Sequence, residues 1–103
     1  MLLREIAHAR TGDKGSLVTI AVIAYRENDF KFVEERVTAE RVAELFAEIV
    51  DGPVERYVLP QLSALNFVLR RPETQNVTRS LALDAHGKCL GSALLAMEVE
   101  FKP

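Results

Sequence analysis

The chain has 103 residues, 49% of them hydrophobic and 27% charged, which suits a single globular domain spanning residues 1–103. With 13 basic and 15 acidic side chains the net charge is -2, which argues against a protein built mainly to bind nucleic acid. The single cysteine excludes an intramolecular disulfide, and the longest apolar run, residues 17–25, is too short to cross a bilayer. We therefore expect a cytoplasmic protein with neither nucleic acid nor membrane as a partner.

The first predicted elements are two β-strands joined by a charged segment. Residues 2–9 predict the first strand, and the nearly continuous apolar and β-branched run of residues 17–25 predicts a central strand. The two are close enough to pair as an antiparallel hairpin, with the charged segment as the loop at its tip. This segment, called the 10–16 segment below, consists of Arg10, Thr11, Gly12, Asp13, Lys14, Gly15 and Ser16.

Helical signals follow the hairpin. The charged residues 26–36 predict a short helical turn. A clear helix follows, and Thr38 can serve as its N-cap. Glu40 lies in the first turn of this helix, where the helix dipole favours an acidic side chain. Gly52 and Pro53 end this helix. Its apolar stripe at helical spacing consists of Val42, Leu45, Phe46, Ile49 and Val50.

The second half of the chain predicts further strands and a second helix. Apolar Leu65, Phe67 and Leu69 alternate with their neighbours, as in a strand with one buried face. Gly87 and Gly91 weaken the second helix but let another backbone approach closely. The predicted elements are strands over residues 54–59 and 64–70, a loop over 71–76, a segment over 78–83 that is ambiguous between strand and helix, a helix over 84–97 with Leu90, Leu94 and Met97 inward, and a closing strand over 99–101.

This order of elements predicts the fold class. Strand, strand, helix, strand, strand, helix is a cyclic permutation of the βαββαβ order, so we expect an α+β, ferredoxin-like antiparallel sheet with two helices packed on one face. The open face of such a sheet is often covered by another copy or by a partner. Because apolar surface would remain to be covered on both sides of the sheet, we expect a homo-oligomer. The residues expected to leave that surface are Leu3, Ala7, Val18, Ile20 and Val22.

The 10–16 segment has two interpretations. As a binding site, Arg10 and Lys14 would supply positive charge, the two glycines closely spaced amides, and the threonine or serine a hydroxyl for a carboxylate or phosphate. Asp13 fits such a site only if it pairs with Lys14 or orients Arg10. As a plain hairpin tip, the acid and the glycines only turn the chain, and Lys14 lies in solvent.

Other polar residues are lesser candidates. Asn66 lies in an apolar strand, so it would orient a ligand or satisfy a loop backbone. Arg79 belongs to a polar cluster that either joins the site or caps an element. His8 could act as a general base, although a strand histidine bonded to a neighbour is the simpler explanation. No cysteine and histidine cluster and no phosphate-binding loop with GxxxxGK[ST] spacing is present, so we expect neither a metal nor a cofactor.

Several blocks of sequence, in order, carry a resemblance that covers nearly the whole chain. They are residues 9–15, 38–42, 52–57 and 65–69, followed by Ser80, Leu81, Asp84, Gly87 and Lys88. These blocks resemble the small ferredoxin-like domain of AtuA-like proteins, the acyclic terpene utilisation family, in which that domain follows a larger one. The resemblance implies a separate small subunit whose large partner is another polypeptide. It also implies a link to the catabolism of branched isoprenoid acids or their coenzyme A thioesters, and it assigns no catalytic residue.

The leading hypothesis is therefore an accessory, ligand-binding subunit that assembles with itself and with a large AtuA-like subunit. Its ligand would be a small acid or an acyl-CoA, held at the 10–16 segment. Two alternatives remain open. One is a small stand-alone enzyme that acts on an acyl-CoA or oxoacid at an oligomer interface, with His8 or Asp13 as the base. The other is a regulatory ligand-binding domain.

Overall fold

The computed structural model describes residues 1–14, 16–48, 50–70 and 88–99. Two 3-10 helices, Leu3–Glu5 and Pro60–Leu62, accompany the regular elements. In chain order these elements are β1 (Ala7–Lys14), β2 (Leu17–Ala24), α1 (Glu27–Arg36), α2 (Ala39–Leu45), β3 (Glu55–Leu59), β4 (Ala64–Arg70) and α3 (Lys88–Leu95). The predictions for residues 71–76 and 78–83, and for the start of the second helix at residues 84–87, lie outside the described residues.

The strands of the described residues form a four-stranded sheet in the order β1-β2-β4-β3, and every neighbouring pair is antiparallel. Alternate residues of β2 and β4 are buried on one face, where they join a core with side chains from all three described helices. This is the predicted α+β, ferredoxin-like architecture. Among the described residues the helical layer contains one more helix than expected, because Glu27–Arg36 forms a full helix where a short helical turn was predicted. The core residues that the helices supply include Phe30, Val33, Val42, Phe46, Leu90 and Leu94.

The predicted N-terminal strand over residues 2–9 is wrong in its bounds. Leu3–Glu5 is a 3-10 helix in which the Glu5 carboxylate accepts a hydrogen bond from the Leu2 amide at 2.7 Å. The strand begins at Ala7 and continues through Lys14. The 10–16 segment is thus not a seven-residue loop, because its first five residues pair with β2 and only residues 15 and 16 connect the strands. In the strand, backbone N–H and C=O groups of residues 10–14 form hydrogen bonds with β2, whereas in a loop they would need other partners.

The helix that follows Thr38 begins as predicted and ends early. The Thr38 hydroxyl accepts a hydrogen bond from the Arg41 amide at 3.2 Å, which confirms the N-cap. The helix ends at Leu45, so its buried stripe is narrower than expected. Val42 and Phe46 are buried, whereas Leu45 is 42% exposed and Val50 is half-buried. The remaining stripe residue, Ile49, lies outside the described residues.

The later elements agree closely with the predictions. The third strand is one residue shorter than predicted, and the fourth has the predicted bounds and alternation. Leu90, Leu94 and Met97 are buried, with Met97 just beyond the end of α3. A bridge between Leu2 and Glu98 fastens this end of the chain to the N-terminus, in the region where the closing strand was predicted. The rest of that predicted strand, residues 100–101, lies outside the described residues.

The residues that were expected to leave apolar surface on both sides of the sheet are all buried on one side. Leu3, Ala7, Val18, Ile20 and Val22 are all at most 2% exposed and belong to the single core on the helical side. Successive strand residues point to opposite faces, so the intervening positions of β2 and β4 form the other surface. We call this surface, opposite the helices, the outer face.

Candidate functional site

The register of the sheet places two predicted site residues in one row across the outer face. Arg10 lies opposite Ala21, Ala21 opposite Asn66, and Asn66 opposite Tyr57. Directly opposed residues share a face, and neighbouring strands are about 4.8 Å apart, so the Cα atoms of Arg10 and Asn66 are separated by about 10 Å. We call these four residues the central row. Ala21, with its short side chain, leaves space above the sheet between a guanidinium and a carboxamide.

The polar side chains of the central row differ in how they are engaged. Arg10 is exposed and Asn66 half-buried, and neither side chain has a hydrogen-bond or ion-pair partner among the described residues. Tyr57 is 50% exposed, and its hydroxyl donates a hydrogen bond to Glu55 Oε2 at 3.1 Å. This bond and the negative charge of Glu55 raise the pKa of the Tyr57 phenol. The two unengaged groups, Arg10 and Asn66, are therefore the donors available to a ligand.

The structure places Thr11 and Gly12, two other members of the 10–16 segment, outside the central row. Thr11 lies on the helical side, where its Oγ1 would stand 2.8 Å from a Cβ added at Gly91. Gly12 is an ordinary strand residue opposite Thr19. Because successive strand amides point to opposite edges, the amides from Arg10 to Lys14 do not converge on one point, contrary to the expectation from the glycines.

The remaining predicted site residues are placed less fully. Asp13 and Lys14 occupy register positions opposite Val18 and Leu17. Ser16 is a half-buried turn residue. Gly15 and Arg79 lie outside the described residues, so the structure neither joins them to the central row nor separates them from it.

Two members of the central row, Ala21 and Tyr57, were not predicted from the sequence. Each lies in a strand whose bounds were predicted well, and each faces the outer side by simple alternation. The sequence analysis lacked the register of the strands. Between β3 and β4 the register is determined by a short connection, which consists of Pro60–Leu62 and of Ser63 in a left-handed conformation at φ 51°. From the geometry of such a hairpin, Tyr57 could have been paired with Asn66.

Two other arginines have structural roles, which sets Arg10 apart. Arg41 donates hydrogen bonds to the carbonyl oxygens of Arg36, at 3.0 Å, and Glu98, at 2.7 Å. Arg56 donates to the carbonyl oxygens of Glu34, at 2.7 Å, and Val37, at 3.0 Å. Carbonyl groups at a helix C-terminus lack partners within the helix and carry partial negative charge, so both arginines stabilise the end of α1.

Replacing Arg56 by methionine is expected to lower the free energy of unfolding by about 1–2 kcal/mol, since two charge-assisted hydrogen bonds to carbonyls disappear. Arg56→Lys should lose less, because an ammonium still reaches one carbonyl. Urea unfolding of both variants measures the difference. Arg4→Met, at an exposed position of the first 3-10 helix, is the matched control and should stay within about 0.5 kcal/mol of wild type. Equal losses at both positions would contradict the capping role.

His8 also lies on the outer face, opposite Ile23. Its ring stacks on Tyr25, with centroids 5.2 Å apart and an interplanar angle of 25°. Tyr25 is 63% exposed, so the pair forms an aromatic patch at the end of the sheet where Leu59 is also 40% exposed. The histidine is thus next to apolar surface, and its role as a base stays a prediction.

Within the described residues, no three histidine, cysteine, aspartate or glutamate side chains are grouped as a metal ion would require. No helix in the same part of the chain has the length and apolar character needed to cross a membrane.

Comparison with known proteins identifies the family. A family model described as the AtuA ferredoxin-like domain matches residues 1–100. No curated protein and no solved structure matches the chain significantly. The matched region includes all the described elements and the whole central row. The chain therefore belongs to the AtuA ferredoxin-like domain family.

Proposed function

We propose that the chain is an accessory, ligand-binding subunit in which Arg10 holds the carboxylate of a small branched acid or a phosphate of an acyl-CoA. In this proposal it assembles with itself and with a large AtuA-like subunit that carries out the chemistry. The supporting observation is the central row, in which Arg10 and Asn66 flank Ala21 without partners among the described residues. Family membership supports the class of acid.

The chemistry of the central row suits a carboxylate. A guanidinium presents a planar fork of donors that matches two carboxylate oxygens, and such charge-assisted bonds are about twice as strong as neutral ones. The Asn66 carboxamide adds a neutral hydrogen-bond donor from β4, which is separated from β1 by β2. Ala21 between them has no side chain long enough to fill the space above the sheet. The proposed site is therefore built from side chains across the sheet instead of from amides in a loop.

The expected result is that Arg10→Gln weakens binding of 3-methylbutanoate to the purified chain at least tenfold. Loss of a charged hydrogen bond costs about 1.5–3 kcal/mol, which corresponds to that change or more. Isothermal titration calorimetry measures it. Arg4→Gln, another exposed arginine, is the matched control and should bind as wild type does. The uncharged 3-methylbutanamide should bind more weakly than the acid, if the carboxylate is what Arg10 recognises.

Equal binding by Arg10→Gln and wild type, or equal binding of acid and amide, would contradict the carboxylate site. Co-purification of the chain with a large AtuA-like protein would support the accessory role. The alternative, a stand-alone enzyme, requires turnover of an acyl-CoA or oxoacid by the chain alone. That turnover should be lost in His8→Ala or Asp13→Asn while the circular dichroism spectrum is kept.

A further inference from the structure

We infer that two copies of this chain pair through their outer faces, about a two-fold axis parallel to the strands. The inference rests on the self-assembly in the proposed function and adds the surface and its geometry. An axis in this direction stacks β1 of one copy on β3 of the partner, and β2 on β4. Each row of the outer face then meets the same row of the partner in reverse order, at the separation of about 10 Å that is usual for packed sheets.

The sizes of the side chains on the two central strands are complementary under this axis. In the central row, Ala21 is set against Asn66 of the partner subunit. In the next row Ile23 of each copy is set against the position of Ala64 in the other, but Ala64 is only 3% exposed and offers the partner little surface. In the central row a larger side chain thus meets the small Ala21, so the two sheets can approach there without collision. Interdigitation of large and small residues is how sheet faces pack to native density.

The charges at the two edges of the sheet are complementary as well. Arg10 lies on β1 and Glu55 on β3, and both are exposed. Under the two-fold axis, Arg10 is set against Tyr57 of the partner subunit, one row from the partner's Glu55. Tyr57 engages Glu55 Oε2, which leaves the other carboxylate oxygen available to a guanidinium. Each interface would contain this ion pair twice.

The alternative direction of the axis, across the strands, lacks these features. It stacks β1 on β1 and β3 on β3, so the Arg10 side chains of two copies share one edge and the Glu55 side chains share the other. Like charges placed together at an interface are unfavourable. In the direction along the strands the partner's Asn66 lies over Ala21, so the ligand of the proposed function would be held by Arg10 at the β1 edge of the sheet. A guanidinium has five donors and can serve both a carboxylate of the partner and one of the ligand.

A charge-reversal experiment tests the pairing directly. Sedimentation equilibrium should show a dimer for the wild-type chain, and Arg10→Glu and Glu55→Lys should each raise the dimer dissociation constant at least tenfold. When the two variants are mixed, the heterodimer restores both ion pairs, since the two introduced side chains meet each other and the native Arg10 meets the native Glu55. The mixture should therefore dimerise nearly as tightly as wild type. Glu40→Lys, an exposed acid of α2 away from the outer face, is the matched control and should not change the dissociation constant.

Three outcomes would overturn the inference: a monomeric wild-type chain at millimolar concentration, single variants that dimerise as wild type does, or a mixture that fails to recover. Circular dichroism of each variant verifies folding, which substitutions at two exposed positions should preserve. The carboxylate site is tested separately, because Glu55→Lys keeps Arg10 and should still bind 3-methylbutanoate. A dimer that is insensitive to both reversals would contradict this interface but not the ligand site.

Discussion

Replacing Leu65 by alanine is expected to lower the free energy of unfolding by about 2–5 kcal/mol, because it removes apolar contacts and leaves a cavity. Leu65 is fully buried in β4, opposite Val22 on one side and Val58 on the other. A domain of this size is stable by about 5–15 kcal/mol, so the variant should come close to the limit of folding. Urea unfolding, followed by circular dichroism at one protein concentration, measures the change.

The matched control is Leu62→Ala, the same substitution three residues earlier in the chain. Leu62 belongs to the second 3-10 helix and is 66% exposed, so its loss should change the free energy of unfolding by no more than about 0.5 kcal/mol. Because both variants remove the same atoms, the difference between them isolates burial. Similar losses at the two positions would mean that the core on the helical side of β4 is not formed as described.

The burial of Leu65 could be predicted from the sequence. Apolar residues at alternate positions predicted both the bounds of β4 and its buried face, since the period of a strand is two. The N-cap at Thr38 could be predicted equally well, because a side-chain oxygen before an acidic first turn caps a helix without any tertiary contact. Signals of this kind depend only on near neighbours in the chain.

Where the prediction failed, distant contacts decide the structure. The polar composition of residues 10–14 indicated a loop, but their backbones pair with the β-branched residues of β2, and the pairing outweighs local preference. In the same way, α2 was predicted to continue to Val50 but ends at Leu45, and Leu45 remains partly exposed. Propensity and spacing could not show which stripe residues the core would accept.

The candidate site was predicted in part for the same reason. Arg10 and Asn66 could each be named from residue type, but that they lie in one row depends on two strand pairings. A shift of one residue in either pairing would move Asn66 to the opposite face from Arg10. Thr11 lies on the opposite side of the sheet from Arg10, because neighbours along a strand point to opposite sides. The register of the strands thus decides whether a residue packs in the core or faces a ligand, and residue type alone does not predict the register.

Replacing Gly91 by valine is expected to lower the free energy of unfolding by about 1–3 kcal/mol, because the helix α3 packs directly on β1. A Cβ at Gly91 would lie 2.8 Å from Thr11 Oγ1 and 3.6 Å from the Ala9 Cβ. The first distance is too short for unstrained atoms, so the Thr11 side chain, the helix or the strand must shift. A close approach at this glycine was predicted for a backbone, and the atoms found nearest to the added Cβ belong to the Thr11 and Ala9 side chains. Thermal unfolding and urea unfolding both measure the loss.

A double-mutant cycle with Thr11→Ala shows whether the hydroxyl is the obstacle. Thr11→Ala alone should change stability little, because the side chain is exposed and has no hydrogen bond among the described residues. In that background Gly91→Val should cost less than in wild type, with a coupling of about 0.5–3 kcal/mol between neighbours in contact. Additive losses would contradict the contact. If Thr11 is a packing residue on the helical side, Thr11→Ala should also leave carboxylate binding at Arg10 unchanged, although the two residues are adjacent in the chain.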